Sequence, residues 1–264
     1  MLPTPDTSHV PYSRVYEPAE DSFLMIDTLA LPAEASFLQA RFPGASPPPL
    51  VVEIGVGSGV VLAFVTAQAG HLFGESRPLA LAVDVNTFAL EATKETVRRA
   101  VKEETESTDA SSTDAQRRED DVLPTGTFVG GLRADLVSAL RPGQVDVLLF
   151  NPPYVPTPTL PQNESTDVKD DFARDSHLLE LAYAGGHDGM ETTDRLLEAL
   201  PEVLSERGCA YILLCAQNRP DAVKGRIRQW PSASSSTSWH AETVGSSGKQ
   251  AGWEKLQIVR IWRE

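Results

Sequence analysis

Residues 50–70 read LVVEIGVGSGVVLAFVTAQAG, and this stretch decides the fold. Leu50 to Ile54 form a short apolar run that follows three prolines and ends at Gly55, Gly57 and Gly59. Such a run, without polar alternation, marks a strand buried on both faces. VVLAFVTAQAG then reads as a helix ending at Gly70. Glycines at a strand-to-helix turn let the backbone bend tightly and let a ligand approach closely.

The same alternation continues outward. LALAVD (79–84) is a second buried strand, and NTFALEATKETVRRAV (86–101) has helical spacing with Asn86 as N-cap and arginines near its end. TFVGG (127–131) is a weak third strand and VDVLLF (145–150) a strong fourth. METTDRLLEALPEVLSERG predicts a helix broken or bent at Pro201 and closing at Gly208. CAYILLCA is a fifth strand and EKLQIVRIW (254–262) a final one. Strand and helix in succession predict a doubly wound α/β sheet with helices on both faces. One domain over residues 1–264 is the economical reading. Its parts are an N-terminal cover segment (1–49), a disordered acidic insertion (103–121), a loop at 157–176, and a Ser/Gly-rich edge strand with a long loop (231–250).

Composition narrows the function. The net charge is −14, and the acidic stretch supplies eight acids against two arginines, so the remainder still carries −8. A surface of that sign repels a phosphate backbone and weighs against nucleic acid as the partner. No apolar run is long enough to span a membrane, and the first residues, MLPTPDTSHVPYS, show no signal peptide. Cys209 and Cys215 lie in one strand, about 20 Å apart and too far for a disulfide. Free thiols suit a reducing compartment, so a cytoplasmic location is expected, with the nucleus as a second one. No CxxC or metal-spaced histidine pattern occurs, so no metal is expected in this chain.

The glycine turn lacks the third glycine of a dinucleotide fingerprint, because Val60 stands there, and it lacks the Lys-Ser/Thr of a P-loop. Its pattern, E-x-G-x-G-x-G from Glu53 to Gly59, resembles motif I of class I S-adenosylmethionine methyltransferases. That resemblance implies their Rossmann-like, seven-stranded sheet with an antiparallel last strand. It also implies a cofactor site of Glu53, Gly55, Gly57 and Gly59, with Asp84 and its neighbour Val85 at the ribose. Asp84 also reads as an Asx turn before Asn86. Asp135 and Leu136 fall where this superfamily holds the adenine, although a helix cap is an equal reading of Asp135. Glu53 is expected to orient the turn or to meet the cofactor's ammonium.

The fourth strand runs into Asn151-Pro152-Pro153-Tyr154. The two prolines remove two backbone donors and hold the preceding residues extended. In a doubly wound order this strand neighbours the first across the switch point, with its C-terminal end at the crevice. The Asn151 side-chain oxygen and the Pro152 carbonyl are then two acceptors able to grip an NH₂ group. They would aim its lone pair at a methyl donor, with Tyr154 stacking on the planar group. The tetrapeptide resembles the (N/D)-PP-(Y/F) motif of amino-methyltransferases acting on exocyclic amines or glutamine amides.

RVYEPAEDSF (14–23), with AYAGGHDGMETTDRLLEAL and KQAGWEKLQIVRIW further on, resembles the eukaryotic and archaeal HemK-like glutamine methyltransferases over most of the chain. The resemblance implies S-adenosyl-L-methionine as methyl donor and S-adenosyl-L-homocysteine as product. It places residues matching Tyr16, Glu20 and Ser22 at the cofactor. The implied substrate is the glutamine of the Gly-Gly-Gln loop in a class 1 translation release factor, met in complex with its GTPase partner. A small zinc-binding activator subunit is implied as heterodimer partner, with the TFVGGL edge as its docking strand. An adenine-N6 methyltransferase on DNA or RNA and a protein-lysine methyltransferase are the alternatives that share the motifs.

Overall fold

The apolar runs become strands of one sheet, and the helical patterns between them become its crossovers. The computed structural model describes residues 2–110, 124–161, 171–231, 237–248 and 255–264. The strands are β1 (Leu50–Ile54), β2 (Leu79–Asp84), β3 (Thr127–Arg133), β4 (Val145–Phe150), β5 (Leu204–Cys215), β6 (Trp239–Ser246) and β7 (Leu256–Arg263). The helices are α1 (Glu20–Leu29), α2 (Pro32–Arg41), α3 (Val60–Ala67), α4 (Ala69–Phe73), α5 (Thr87–Ala110), α6 (Asp171–Tyr183), α7 (Glu191–Val203) and α8 (Pro220–Ile227).

The sheet order is β3-β2-β1-β4-β5-β7-β6, so the chain reverses direction of travel between β1 and β4. There Ile54 pairs with Val83 on one side and Phe150 on the other, both parallel. β7 runs antiparallel to β5 and β6, and β3 forms one edge of the sheet, both as expected. β4 is buried along its whole length and serves both faces. Val147 and Leu149 join the core under α1–α4, while Leu148 and Phe150 join the core under α7 and α8. All crossovers between parallel strands put the C-terminal ends of β1, β2, β3 and β4 at one rim, where ligands of such sheets bind.

Several boundaries differ from the sequence reading. The helix after the glycine turn breaks at Gln68 and resumes as α4, so Gly74 (φ 64°), not Gly70, ends it. α5 continues to Ala110, eight residues into the stretch read as disordered; 111–121 lie outside the described residues. The extension is rich in Glu and is held by a Lys102–Glu106 pair one turn apart and by Gln68 Nε2 donating to Glu104 at 2.5 Å. The loop read at 157–176 is shortened by α6, which begins at Asp171; Leu178, Leu181 and Ala182 give it an apolar face at helical spacing. α7 ends at Val203 and not Gly208, because Leu204 turns extended and joins β5 opposite Val145. Pro201 is accommodated in the last turn of α7.

The N-terminal segment is built into the domain. Arg260 on β7 donates to both Glu34 oxygens at 2.9 and 2.8 Å, Tyr211 on β5 donates to Glu34 Oε2 at 2.8 Å, and the guanidinium lies 3.8 Å over the Phe37 ring. Upstream, the Asn86 side-chain amide donates to the Arg14 carbonyl at 2.7 Å, and Arg14 pairs with Asp175 of α6 at 2.9 Å. These ties bring residues 15–22 to the rim of the sheet.

Candidate active site

A cavity of about 250 Å³ opens at that rim, between the carboxyl ends of the strands and the N-terminal segment. Its floor is the glycine turn. Gly55, Gly57 and Gly59 take φ of 66°, 51° and 77°, a left-handed run that L-residues with side chains resist. A side chain at Gly57 would meet no protein atom within 4 Å, which leaves the backbone open to a ligand. Gly59 has a different duty. It is the N-cap of α3, and a methyl group there would lie 2.6 Å from the Thr93 Cα of α5.

Glu53 and Asp84 hold this turn from below. The Glu53 carboxylate is buried and accepts from the Leu62 amide of α3 at 2.8 Å. A side-chain carboxyl thus occupies the helix N-terminus at which dinucleotide-binding folds seat a pyrophosphate. Burial pushes the Glu53 carboxyl well above its ordinary range, opposed by the Leu62 amide and aided by the charge of Asp84. Asp84 accepts from the Gly57 amide through Oδ2 at 3.2 Å and from the Asn86 amide through Oδ1 at 2.7 Å. The second bond is the Asx turn read from the sequence; the first ties β2 to the glycine turn. Burial raises Asp84 from 3.8 to about 6, against the pull of these amides. Asn86 caps α5 by accepting from the Phe88 amide at 2.9 Å, as expected.

Of the residues expected at the cofactor, Tyr16, Ser22, Glu53, Gly55, Gly57, Asp84, Val85, Asp135, Leu136 and Asn151 line the cavity. Pro152, Pro153 and Tyr154 line it too. Glu20 and Gly59 do not: Glu20 opens α1 on the exposed side, and Gly59 packs against α5. Asp135 caps no helix; its carboxylate pairs with Arg195 of α7. Sequence reasoning missed Arg195, Asp21 and the α6 residues. Arg195 lies 60 positions from its partner on a helix patterned like any amphipathic one, so no local signal marks it. Asp21 was legible within YEPAEDSF, and it accepts from the Ser22 amide at 2.6 Å.

The orphan in the cavity is Asn151. Its side-chain oxygen is buried and has no hydrogen-bond partner. The Pro152 carbonyl accepts no backbone hydrogen bond among the described residues. A buried acceptor without a donor costs about 1–3 kcal/mol, and it is tolerated where a ligand supplies the donor. Among the described residues no histidine lines the cavity, and the four carboxylates that do, those of Asp21, Glu53, Asp84 and Asp135, all have partners. Among the described residues no group of three or more His, Cys, Asp or Glu is arranged so that it could hold a metal ion, and no helix is long and apolar enough to cross a membrane.

These features fit S-adenosylmethionine. Asp84 would take the ribose hydroxyls, Asp135 and Leu136 would face the adenine, and the open glycine turn with Glu53 behind it suits an aminoacyl group better than a phosphate. No family model matches the chain. It is 34% identical to the mouse methyltransferase HEMK2 across 98% of this chain and 96% of that protein. It is 30% identical to the eRF1 methyltransferase catalytic subunit mtq2 of Schizosaccharomyces pombe, across 100% and 96%. A putative protein N5-glutamine methyltransferase of Methanocaldococcus jannaschii is 29% identical across 96% and 93%. With glycine turn, paired acidic residues and Asn-Pro-Pro-Tyr assembled at one rim, and relatives matched nearly end to end, the chain belongs to the HEMK2 family of methyltransferases.

Proposed function

We propose that this enzyme transfers a methyl group from S-adenosylmethionine to the side-chain nitrogen of the Gly-Gly-Gln glutamine in a class 1 release factor. The observation that carries the chemistry is the unpartnered Asn151 oxygen facing the cavity. The substrate is supported by the relatives, one of which bears the name of an eRF1 methyltransferase catalytic subunit and another that of a protein N5-glutamine methyltransferase.

When bound, S-adenosylmethionine would supply an electrophilic sulfonium methyl: the C–S bonding pair would stay on sulfur, and the amide nitrogen's lone pair would form the new N–C bond. The chain's part is positional. Asn151 Oδ1 and the Pro152 carbonyl accept the two amide N–H bonds, turning the nitrogen lone pair toward the methyl carbon. The same two oxygens stabilise the positive charge that grows as nitrogen becomes tetrahedral. A planar amide is a weak nucleophile, so this fixed pair of acceptors is where the rate enhancement comes from. With the lining carboxylates engaged, the amide proton passes to water after transfer. Tyr154 borders the position of the planar group.

The zinc-binding activator and the GTPase-bound form of the substrate belong to this reading as well. β3 supports the first. It is an edge strand with Val129 52% and Leu132 36% exposed, a surface suited to accepting a partner strand.

The test is methyl transfer from labelled donor to three substrates: purified release factor, its Gly-Gly-Gln Gln-to-Ala variant, and an adenine-containing oligonucleotide. Label on the first alone is expected. Label on the oligonucleotide, or undiminished label on the Gln-to-Ala variant, would overturn the assignment.

A further inference from the structure

The two prolines that free the acceptors also remove two of the loop's backbone donors, so contacts from outside the loop matter for holding Asn151 in aim. Upstream, Phe150 is fixed by its neighbours Ile54 and Ile212. Downstream, the chain 154–157 is stitched to the segment 183–189. Val155 donates to the Tyr183 carbonyl at 3.0 Å and accepts from Gly185 at 2.8 Å, while Thr157 donates to Gly186 at 3.0 Å and its hydroxyl accepts from Gly186 at 3.0 Å. Gly189 (φ 69°) lies so close that any side chain there would collide with the Tyr154 carbonyl.

One side chain joins these layers from beneath. Asn218 sits in the tight turn after β5 and is 3% exposed. Its oxygen accepts from the Cys215 amide at 2.8 Å. Its NH₂ faces three carbonyls, those of Asp188 at 3.0 Å, Gly189 at 3.3 Å and Tyr154 at 3.4 Å. All four contacts are to backbone, so they register the end of β5, the 187–189 turn and the tail of the tetrapeptide against one another. A side chain with both a donor and an acceptor end is required. Aspartate would turn an oxygen toward three carbonyl oxygens, and alanine would leave all four groups without it.

We propose that Asn218 is the positioning residue of the methyl-transfer step: it locks the Asn-Pro-Pro-Tyr loop so that the Asn151 and Pro152 oxygens stay aimed. The proposal deepens the amide-methylation reading, and its kinetic arm rests on that reading. Asn218 lies outside the cavity lining and meets the site only through the Tyr154 carbonyl, on the substrate side, so its loss should act on turnover and spare donor binding.

The experiment uses the full chain with Asn218→Asp, and Thr157→Val as a milder variant that loosens the same loop from the surface side. Methyl transfer to the release factor gives kcat and KM, titration calorimetry gives the S-adenosylmethionine Kd, and hydrogen exchange reads the Val155 and Thr157 amides. For Asn218→Asp we expect kcat to fall at least 10-fold, donor Kd to stay within 2-fold, and exchange at both amides to rise at least 10-fold. Thr157→Val should show the same pattern at about 3-fold. Should Asn218→Asp fail to fold, Asn218→Ser, judged by the same three readings, decides. Unchanged exchange, a kcat within 2-fold of the parent, or a donor Kd that weakens in step with kcat would each overturn the proposal. A parent chain inactive on the release factor would instead count against the substrate assignment, and the exchange measurement would still judge the clamp.

Discussion

Replacing Asp84 with asparagine should strengthen the empty enzyme and weaken its hold on the methyl donor. Asp84 is 9% exposed, and burial raises its carboxyl from 3.8 to about 6. The sign follows from linkage. A carboxyl with a raised folded-state pKa favours the folded state while protonated, an advantage complete below about 3.8 and lost as pH rises through about 6. Between those limits the wild-type protein gives up about 3 kcal/mol at this one group. Asparagine escapes that loss but gives up charge in the bonds from the Gly57 and Asn86 amides, leaving a net gain of roughly 1–2 kcal/mol at pH 8. For a domain of this size that is a rise of about 2–8 °C in melting temperature. The ribose hydroxyls lose an ionised acceptor worth about 1.5–3 kcal/mol, or on the order of 10- to 100-fold in donor affinity. The assay is calorimetric: melting of both proteins at pH 5 and pH 8 without ligand, and donor titration across the same range. The melting difference should open as pH rises and level off above 7, and wild-type donor affinity should climb through pH 6. An Asp84→Asn protein that melts below wild type at pH 8 and binds the donor equally well would refute the reasoning on both counts.

Asn151→Ala should lower kcat on the release factor by about 10²–10³-fold, as loss of an oriented transition-state acceptor does, while calorimetry shows the donor Kd within a few-fold. Gly59→Ala places a methyl group 2.6 Å from the Thr93 Cα at a φ of 77°. Denaturant titration should register a loss of about 2–4 kcal/mol, and a midpoint equal to wild type would mean that α3 and α5 do not pack as described. Glu34→Ala strands the buried Tyr211 hydroxyl and leaves the Arg260 guanidinium with only its longer pair to Glu242, and a loss of about 2–4 kcal/mol is expected in the same measurement. Val129→Lys on the β3 edge should abolish co-purification with the zinc-binding activator without changing the circular dichroism of the chain; retained association would move the partner's site elsewhere.

The sheet was legible because burial on both faces forces long apolar runs, and VVEI, LALAVD and VDVLLF have no other economical reading. The glycine turn and Asn-Pro-Pro-Tyr were legible because backbone geometry restricts which residues can stand there. What escaped was set by tertiary contact. Gly59 sits in the glycine pattern but answers to Thr93 on another helix, a neighbour that no spacing rule supplies. Arg195 meets Asp135 only through the tertiary approach of α7 to the segment that follows β3, and Asn218 reaches the active-site loop through the Tyr154 carbonyl and the neighbouring turn through those of Asp188 and Gly189, which carry no side-chain signature. The acidic run after residue 102 misled because its composition suits solvent equally well as coil or as the exposed side of a helix, and Gln68 together with Lys102 helps decide for the first turns.

The Glu34–Arg260 pair spans 226 positions, and this has a bearing on how the protein is made. During synthesis the first residues leave the ribosome long before β7 exists, so α2 has no counter-charge to dock against and α1 has no final strands to rest on. The Glu34 end of the N-terminal segment can therefore dock only once β7 is in place, whereas its Arg14 end needs only α5 and α6. The donor-binding cavity gains this brace late in translation, and nascent chains cut short before β7 should hold the donor more weakly than the full chain.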